Sequence, residues 1–250
     1  MQLNPVEQFQ IHDIVPIVTF GGRQIAFTNS ALFMLIIVVL VSGLLIGATS
    51  RAALVPGRLQ SVAEMSYEFV ANTVRSSTGT EGMRFFPFVF TLFMFVLFAN
   101  LIGLIPYSFT VTSQLVVTAA LALTVFFLVV GYGFWRHGLK FLKLFVPKGV
   151  PSYILPAIVV IEVLSFLTRP LSHSVRLFAN MLAGHITLQV FAAFIIMLAG
   201  WGVLGWFGAA LPFVMVVILF ALELLVAVLQ AYVFAILTCI YLNDAIHPGH

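Results

Sequence analysis

"LTRPLSHSVRLFANMLAGH", Leu167 to His185, sets Arg169, His173, Arg176 and His185 into a stretch that is otherwise apolar. It lies inside a longer run, Pro151 to Ala199, whose 49 residues stay largely apolar. As one straight α-helix this run would be roughly 73 Å long at 1.5 Å per residue. That is more than twice the hydrocarbon thickness of a bilayer, about 30 Å. Such a helix must tilt steeply, bend near Pro156 or Pro170, or run partly along a surface. A Gly/Trp-rich turn, "GWGVLGWFG" (Gly200 to Gly208), leads to a second over-long apolar span, Pro212 to Asn243. Residues 151–243 therefore read as an antiparallel hairpin of two long, strongly tilted helices.

Composition agrees with that reading over the whole chain. Of 250 residues, 62% are hydrophobic and 8% charged, with a mean hydropathy of +1.16. Soluble domains carry about 25% charged residues. The size suits one membrane bundle, residues 1–250, with no room for a second, water-soluble domain. The net charge of +3 and pI near 9.2 are explained by topology, and nucleic acid is not an expected partner. Cys239 is the only cysteine, which excludes an intrachain disulfide and a CxxC metal site and leaves it a small buried hydrophobe. The N-terminus lacks the basic and apolar regions of a cleavable signal peptide.

Residues 1–30, with Pro5, Pro16, Gly21 and Gly22, read as an irregular lead-in. Residues 31–49 are an uncharged first span. Residues 58–75 form an amphipathic surface helix, with Leu59, Val62, Ala63, Val70 and Val74 on one face and Glu64, Glu68 and Arg75 opposite. Residues 85–134 form a helical hairpin of two spans, Phe85–Ile105 and Leu115–Phe134. The predicted fold is thus all-α: about five membrane-embedded helices plus one surface helix. Eight of eleven cations fall in two loops, Arg51 to Arg84 and Arg136 to Lys148, and the opposite loops, 106–114 and 200–211, have none. The positive-inside rule then puts the N-terminus outside and the C-terminus in the cytoplasm or mitochondrial matrix.

Chemistry is concentrated in the last hairpin. A charge near a helix centre costs about 2.5–3.5 kcal/mol on insertion scales, so several together need a use, a partner or water. At 100° per residue Glu162, Arg169, His173, Arg176, Asn180 and Gly184 fall on one stripe, with His185 nearly opposite. In an antiparallel hairpin, residues at equal depth have position numbers of constant sum. Arg176 with Gln230, His185 with Glu223, and Glu162 with Asp244 sum to 406, 408 and 406. His185 and Glu223 are expected in the outer half, Arg176 and Gln230 in the middle, and Glu162 and Asp244 in the inner half. Carboxylates and imidazole exchange protons at accessible pH. Arginine does not, so Arg176 is a fixed cation between two sets of relay groups. Arg169 reads as a snorkelling or packing residue. His173 reads either as a relay or as hydrogen-bonded to a neighbouring helix, and Asn100 as interhelical glue. No metal-ligand spacing, nucleophile elbow or phosphate loop occurs, so neither cofactor, metal nor catalytic residue is expected.

"LSHSVRLFANMLAGH" and "ELLVAVLQAYVFAIL" resemble the last two helices of subunit a of F-type ATP synthases, and the remaining pattern agrees over essentially the whole chain. The resemblance implies a non-catalytic, proton-translocating stator subunit. Its partners would be a ring of c subunits, peripheral-stalk b-type subunits, other synthase subunits and membrane lipids, in a bacterial inner membrane or its mitochondrial counterpart. It implies that Arg176 is the family's essential arginine, with Asn180 and Gln230 as polar neighbours. Glu162 and Asp244 become inner half-channel acids, and His185 and Glu223 the outer pair. The His-then-Glu order is the mitochondrial-like one and points to an alphaproteobacterial or mitochondrial source. Gly103 stands where bacterial relatives carry an acid. H⁺ is the implied coupling ion. Two other classes use similar residues: a stand-alone proton-coupled transporter, against which the absence of an internal repeat weighs, and a membrane scaffold whose charges only pair with other subunits.

Overall fold

In hydrocarbon every backbone N–H and C=O must find its partner within the segment, so long uncharged runs become helices. The computed structural model describes residues 10–20, 23–50, 53, 55–105, 108–146 and 153–247. Five helices in it are long and apolar enough to cross a membrane. They are α1 (Asn29–Thr49), α3 (Phe86–Gly103), α4 (Leu115–His137), α5 (Leu155–Ala199) and α6 (Val203–Ile246), with the amphipathic α2 (Arg58–Thr78) between the first two. Short 3₁₀ segments, Glu81–Phe85, Val111–Ser113 and Gly138–Phe145, join or extend them.

The N-terminal segment differs from the irregular lead-in expected. β1 (Asp13–Phe20) and β2 (Arg23–Thr28) pair antiparallel as a two-stranded hairpin. The β-branched run Ile14, Val15, Ile17, Val18 and Thr19 favours extended backbone. Register shifts between Asp13 and Val15 and between Pro16 and Val18 break the period-two alternation that would have announced a strand. Thr28 then caps α1, its Oγ1 accepting from the Ala31 N–H at 3.3 Å.

Helix α6 is the axis of the bundle and packs on α2, α3, α4 and α5. Ala227, Ala231, Ala235 and Cys239, one every fourth residue, are all buried, and such small side chains let neighbouring helices close in. Asn100 of α3 reaches across to donate from Nδ2 to the Ala227 carbonyl at 3.1 Å. The core continues through Val70 and Val74 of α2, Val89, Met94 and Val96 of α3, Val125 and Val129 of α4, and Leu177 and Met181 of α5. On α2, Ala63, Val70 and Val74 of the predicted apolar face are buried, while Leu59 and Val62 are exposed.

In the long hairpin the first helix is shorter than the expected 151–199 and the second longer than the expected 212–243. α5 runs unbroken through Pro170 for 45 residues, and α6 begins nine residues before Pro212 and spans 44. The turn shrinks to Gly200–Gly202, with Gly202 at φ 76°. A Cβ at Gly205 would overlap the Leu198 carbonyl oxygen, so a glycine is what lets α6 start beside the end of α5. Both helices leave wide apolar faces uncovered, among them Val160, Ile161 and Leu164 on α5 and Val217, Leu225 and Val228 on α6.

Candidate functional site

Helix α5 sorts its residues by face. His173, Leu177, Met181 and His185, at four-residue spacing, are buried against the bundle; Ser172, Arg176, Ala179, Asn180 and Ala183 are exposed on another side. The single polar stripe expected on this helix is therefore divided. His173 turns inward, Arg176 and Asn180 outward, and Glu162 and Arg169 lie between, half-buried. Four-residue spacing drifts by 40° per step, which carries the buried line from His173 round to His185.

His185 meets Glu223. Its Nε2 is 3.6 Å from Glu223 Oε1 and 3.2 Å from Thr110 Oγ1. Both residues are buried, and neither oxygen of Glu223 has a hydrogen-bond partner among the described residues. Gly184 makes the approach possible: a Cβ there would fall 2.7 Å from Glu223 Oε1. Thr110 has no sequence signal, since it comes from the connection after α3, placed by its own contact with Gly103, where a Cβ would fall 2.7 Å from Thr110 Cγ2.

Two cavities flank this pair. One of about 770 Å³ is lined by Gln10, His12, Asn29, Ser108, His185 and Gln189 among apolar residues. Gly103 lines it too, so the end of α3 contributes to this wall without an acid. The other, about 330 Å³, lies on the far side and is lined by Asn180, Gly184, Thr187, Glu223 and Gln230. His185 belongs to the first and Glu223 to the second. Arg176 is exposed one helical turn from Asn180 on the same face.

Asp244, expected level with Glu162, makes its ion pair with Arg169, Oδ2 to Nη1 at 2.6 Å. Arg169 also lies over the rings of Phe166 and Tyr241, at 5.0 and 5.1 Å. His173 makes no hydrogen bond at either ring nitrogen among the described residues, which does not fit the hydrogen-bonded one of its two readings; its ring packs on Phe234 at 3.8 Å between centroids.

Residues 31–243 match the family model of the ATP synthase A chain. The chain belongs to the ATP synthase A chain family. It is 63% identical to ATP synthase subunit a of Rhodopseudomonas palustris strain BisB18, over 99% of this chain and all of the relative. It is 64% identical to that of Xanthobacter autotrophicus strain Py2 over the full length of both, and 62% identical to that of Nitrobacter winogradskyi over 99% and 100%. These relatives are alphaproteobacterial, one of the two sources, alphaproteobacterial or mitochondrial, that the His185-before-Glu223 order implied. As an A chain it is a non-catalytic, proton-translocating membrane subunit of the synthase complex.

Proposed function

We propose that the His185–Glu223 contact is the junction at which a proton leaves an outer entrance and reaches a face turned to a ring of c subunits. The observation that carries this reading is the 3.6 Å approach of two titratable side chains that line different cavities. A proton crossing from imidazole to carboxyl passes from one to the other without a continuous aqueous channel between them. Basic loops at the opposite end of the bundle support the N-terminus and the 770 Å³ cavity lying outside and the C-terminus lying in the cytoplasm.

From the groove beside Asn180 and Gln230 the proton neutralises a carboxylate of a c subunit, which then moves into lipid as the ring turns. Arg176, exposed on that face and unable to give up its proton, holds an arriving carboxylate ionised and bars direct passage between entrance and exit. Released protons leave on the inner side past Glu162 and Asp244. Each charge crossing 100 mV contributes about 2.3 kcal/mol, so several protons accumulate for each ATP. The uncovered apolar faces of α5 and α6 are where ring and lipid pack, and b-type stalk subunits hold the chain still. Arg176→Ala tests the reading: ATP-driven proton pumping should vanish from membrane vesicles while the complex stays assembled, and unchanged pumping would remove Arg176 from the mechanism.

A further inference from the structure

The outer cavity has a wall that the transmembrane helices do not supply. Residues 10–12 of the N-terminal segment are strapped to the first residue of α1 by three hydrogen bonds. The Asn29 N–H donates to the His12 carbonyl at 3.1 Å, Asn29 Oδ1 accepts from the His12 N–H at 3.3 Å, and Asn29 Nδ2 donates to the Gln10 carbonyl at 3.1 Å. The strap sets the exposed His12 on the lining of the same cavity that ends at buried His185. Among the described residues, no Asp, Glu, Lys or Arg lines it, and His12 and His185 are the imidazoles that do. The nearest charged group along the chain is Asp13, opposite Thr28 in the hairpin. α1 contributes Asn29 and Phe33 to this wall, and the connection after α3 contributes Ser108 and Phe109.

An entrance of this kind has a supply problem. At a diffusion-limited constant of about 10¹⁰ M⁻¹ s⁻¹, free protons reach one acceptor at only about 100 per second when the outer pH is 8. Enzyme turnovers commonly run from about 1 to 10³ per second. A side chain that takes protons from buffer molecules at the mouth relieves that limit, and imidazole is the type that ordinarily does so between pH 5 and 8.

We infer that His12 is the proton-collecting residue of the outer entrance and that Asn29 is its positioning residue. A buffer acid gives its proton to the free ring nitrogen of His12; the imidazolium releases one to water in the cavity on the way to His185, and His12 returns to neutral. The inference rests on the outer-entrance reading above.

The test uses the complete synthase in liposomes with the catalytic head outward, so the cavity faces a lumen whose pH and buffer are fixed at loading. ATP synthesis is driven by a potassium–valinomycin potential. His12→Gln should slow the initial rate about fivefold or more at lumen pH 8 in weak buffer, match the parent at pH 6, and recover when imidazole is loaded in the lumen. Asn29→Ala should show the same pattern more weakly. A rate unchanged at pH 8, or lowered equally at both pH values and deaf to imidazole, overturns the role of His12. Glu223→Gln is measured alongside. If it is inactive while His12→Gln behaves as parent, the entrance stands and His12 alone is removed; if Glu223→Gln runs at the parental rate, the entrance and the inference fall together.

Discussion

Arg169 Nη1 sits 2.6 Å from Asp244 Oδ2, and this pair separates the two arginines of α5 by role. Arg169 is neutralised by a carboxylate and sandwiched near two aromatic rings, whereas Arg176 lies exposed on the outward face. One cation closes the end of the hairpin away from its turn; the other stands exposed.

That division predicts different phenotypes. The Arg169 and Asp244 side chains are 21% and 28% exposed, so their pair is only partly screened. Arg169→Ala and Asp244→Asn should each lower the thermal stability of the purified complex, with a coupling of about 1–3 kcal/mol in a double-mutant cycle. Arg169→Asp with Asp244→Arg should recover part of the loss. Additive single effects would mean that the pair does not hold α5 to α6.

The reach of the sequence is clearest where one physical rule acts alone. Uncharged length fixed α1, α3 and α4 to within a few residues, and constant-sum numbering brought His185 to Glu223 because α5 and α6 stay regular on the turn side of the hairpin. Where two rules compete, the reading failed. The glycines of residues 200–208 signalled a long turn, but in hydrocarbon an open backbone is so costly that the helix resumes at Val203 and spends Gly205 on close packing. The bulged strands lost their alternation. Depth numbering takes no account of charge and did not point to the Arg169–Asp244 pair. Thr110 and the strap at Asn29 depend on loop contacts that no local pattern encodes.

Exchange of partners is the sharpest check on the outer junction. His185 and Glu223 approach through their side-chain ends, so each position can in principle hold either group. His185→Ala or Glu223→Gln should lower proton conduction by about 10²-fold or more, the usual scale for losing a positioned proton-transfer group. His185→Glu combined with Glu223→His should retain more ATP-driven pumping than either single exchange. A double exchange as inactive as the singles would show that position, and not the pairing, matters.

Asn100 makes a cheaper contact with a separate consequence. Its Nδ2 bond to the Ala227 carbonyl ties α3 to α6 four residues from Glu223, in a fully buried setting. Interhelical hydrogen bonds in membranes average about 0.6 kcal/mol and reach about 1.7 kcal/mol. Asn100→Leu should therefore leave the complex assembled and cost its unfolding free energy about that much. A loss of several kcal/mol would mean that this bond anchors more of the α3–α6 packing than one contact, and lost proton conduction at unchanged stability would place Asn100 in the proton path.

Gly184 offers a perturbation confined to the junction. Its backbone faces the Glu223 carboxyl so closely that a methyl group would fall 2.7 Å from Oε1 and 3.0 Å from Cδ. The obstructed atoms are the end of a flexible side chain, so the helices keep their places and the carboxyl swings away. A displacement of about 1 Å from a reacting partner can cost about 10²-fold in rate, and here it lengthens a gap that already exceeds hydrogen-bond distance. Gly184→Ala should thus assemble normally, with thermal stability near the parent, yet conduct protons about tenfold more slowly or worse. Gly184→Ser should be as slow, because its hydroxyl adds bulk at the same point. Parental conduction in Gly184→Ala would mean that protons reach the groove without passing through the His185–Glu223 contact.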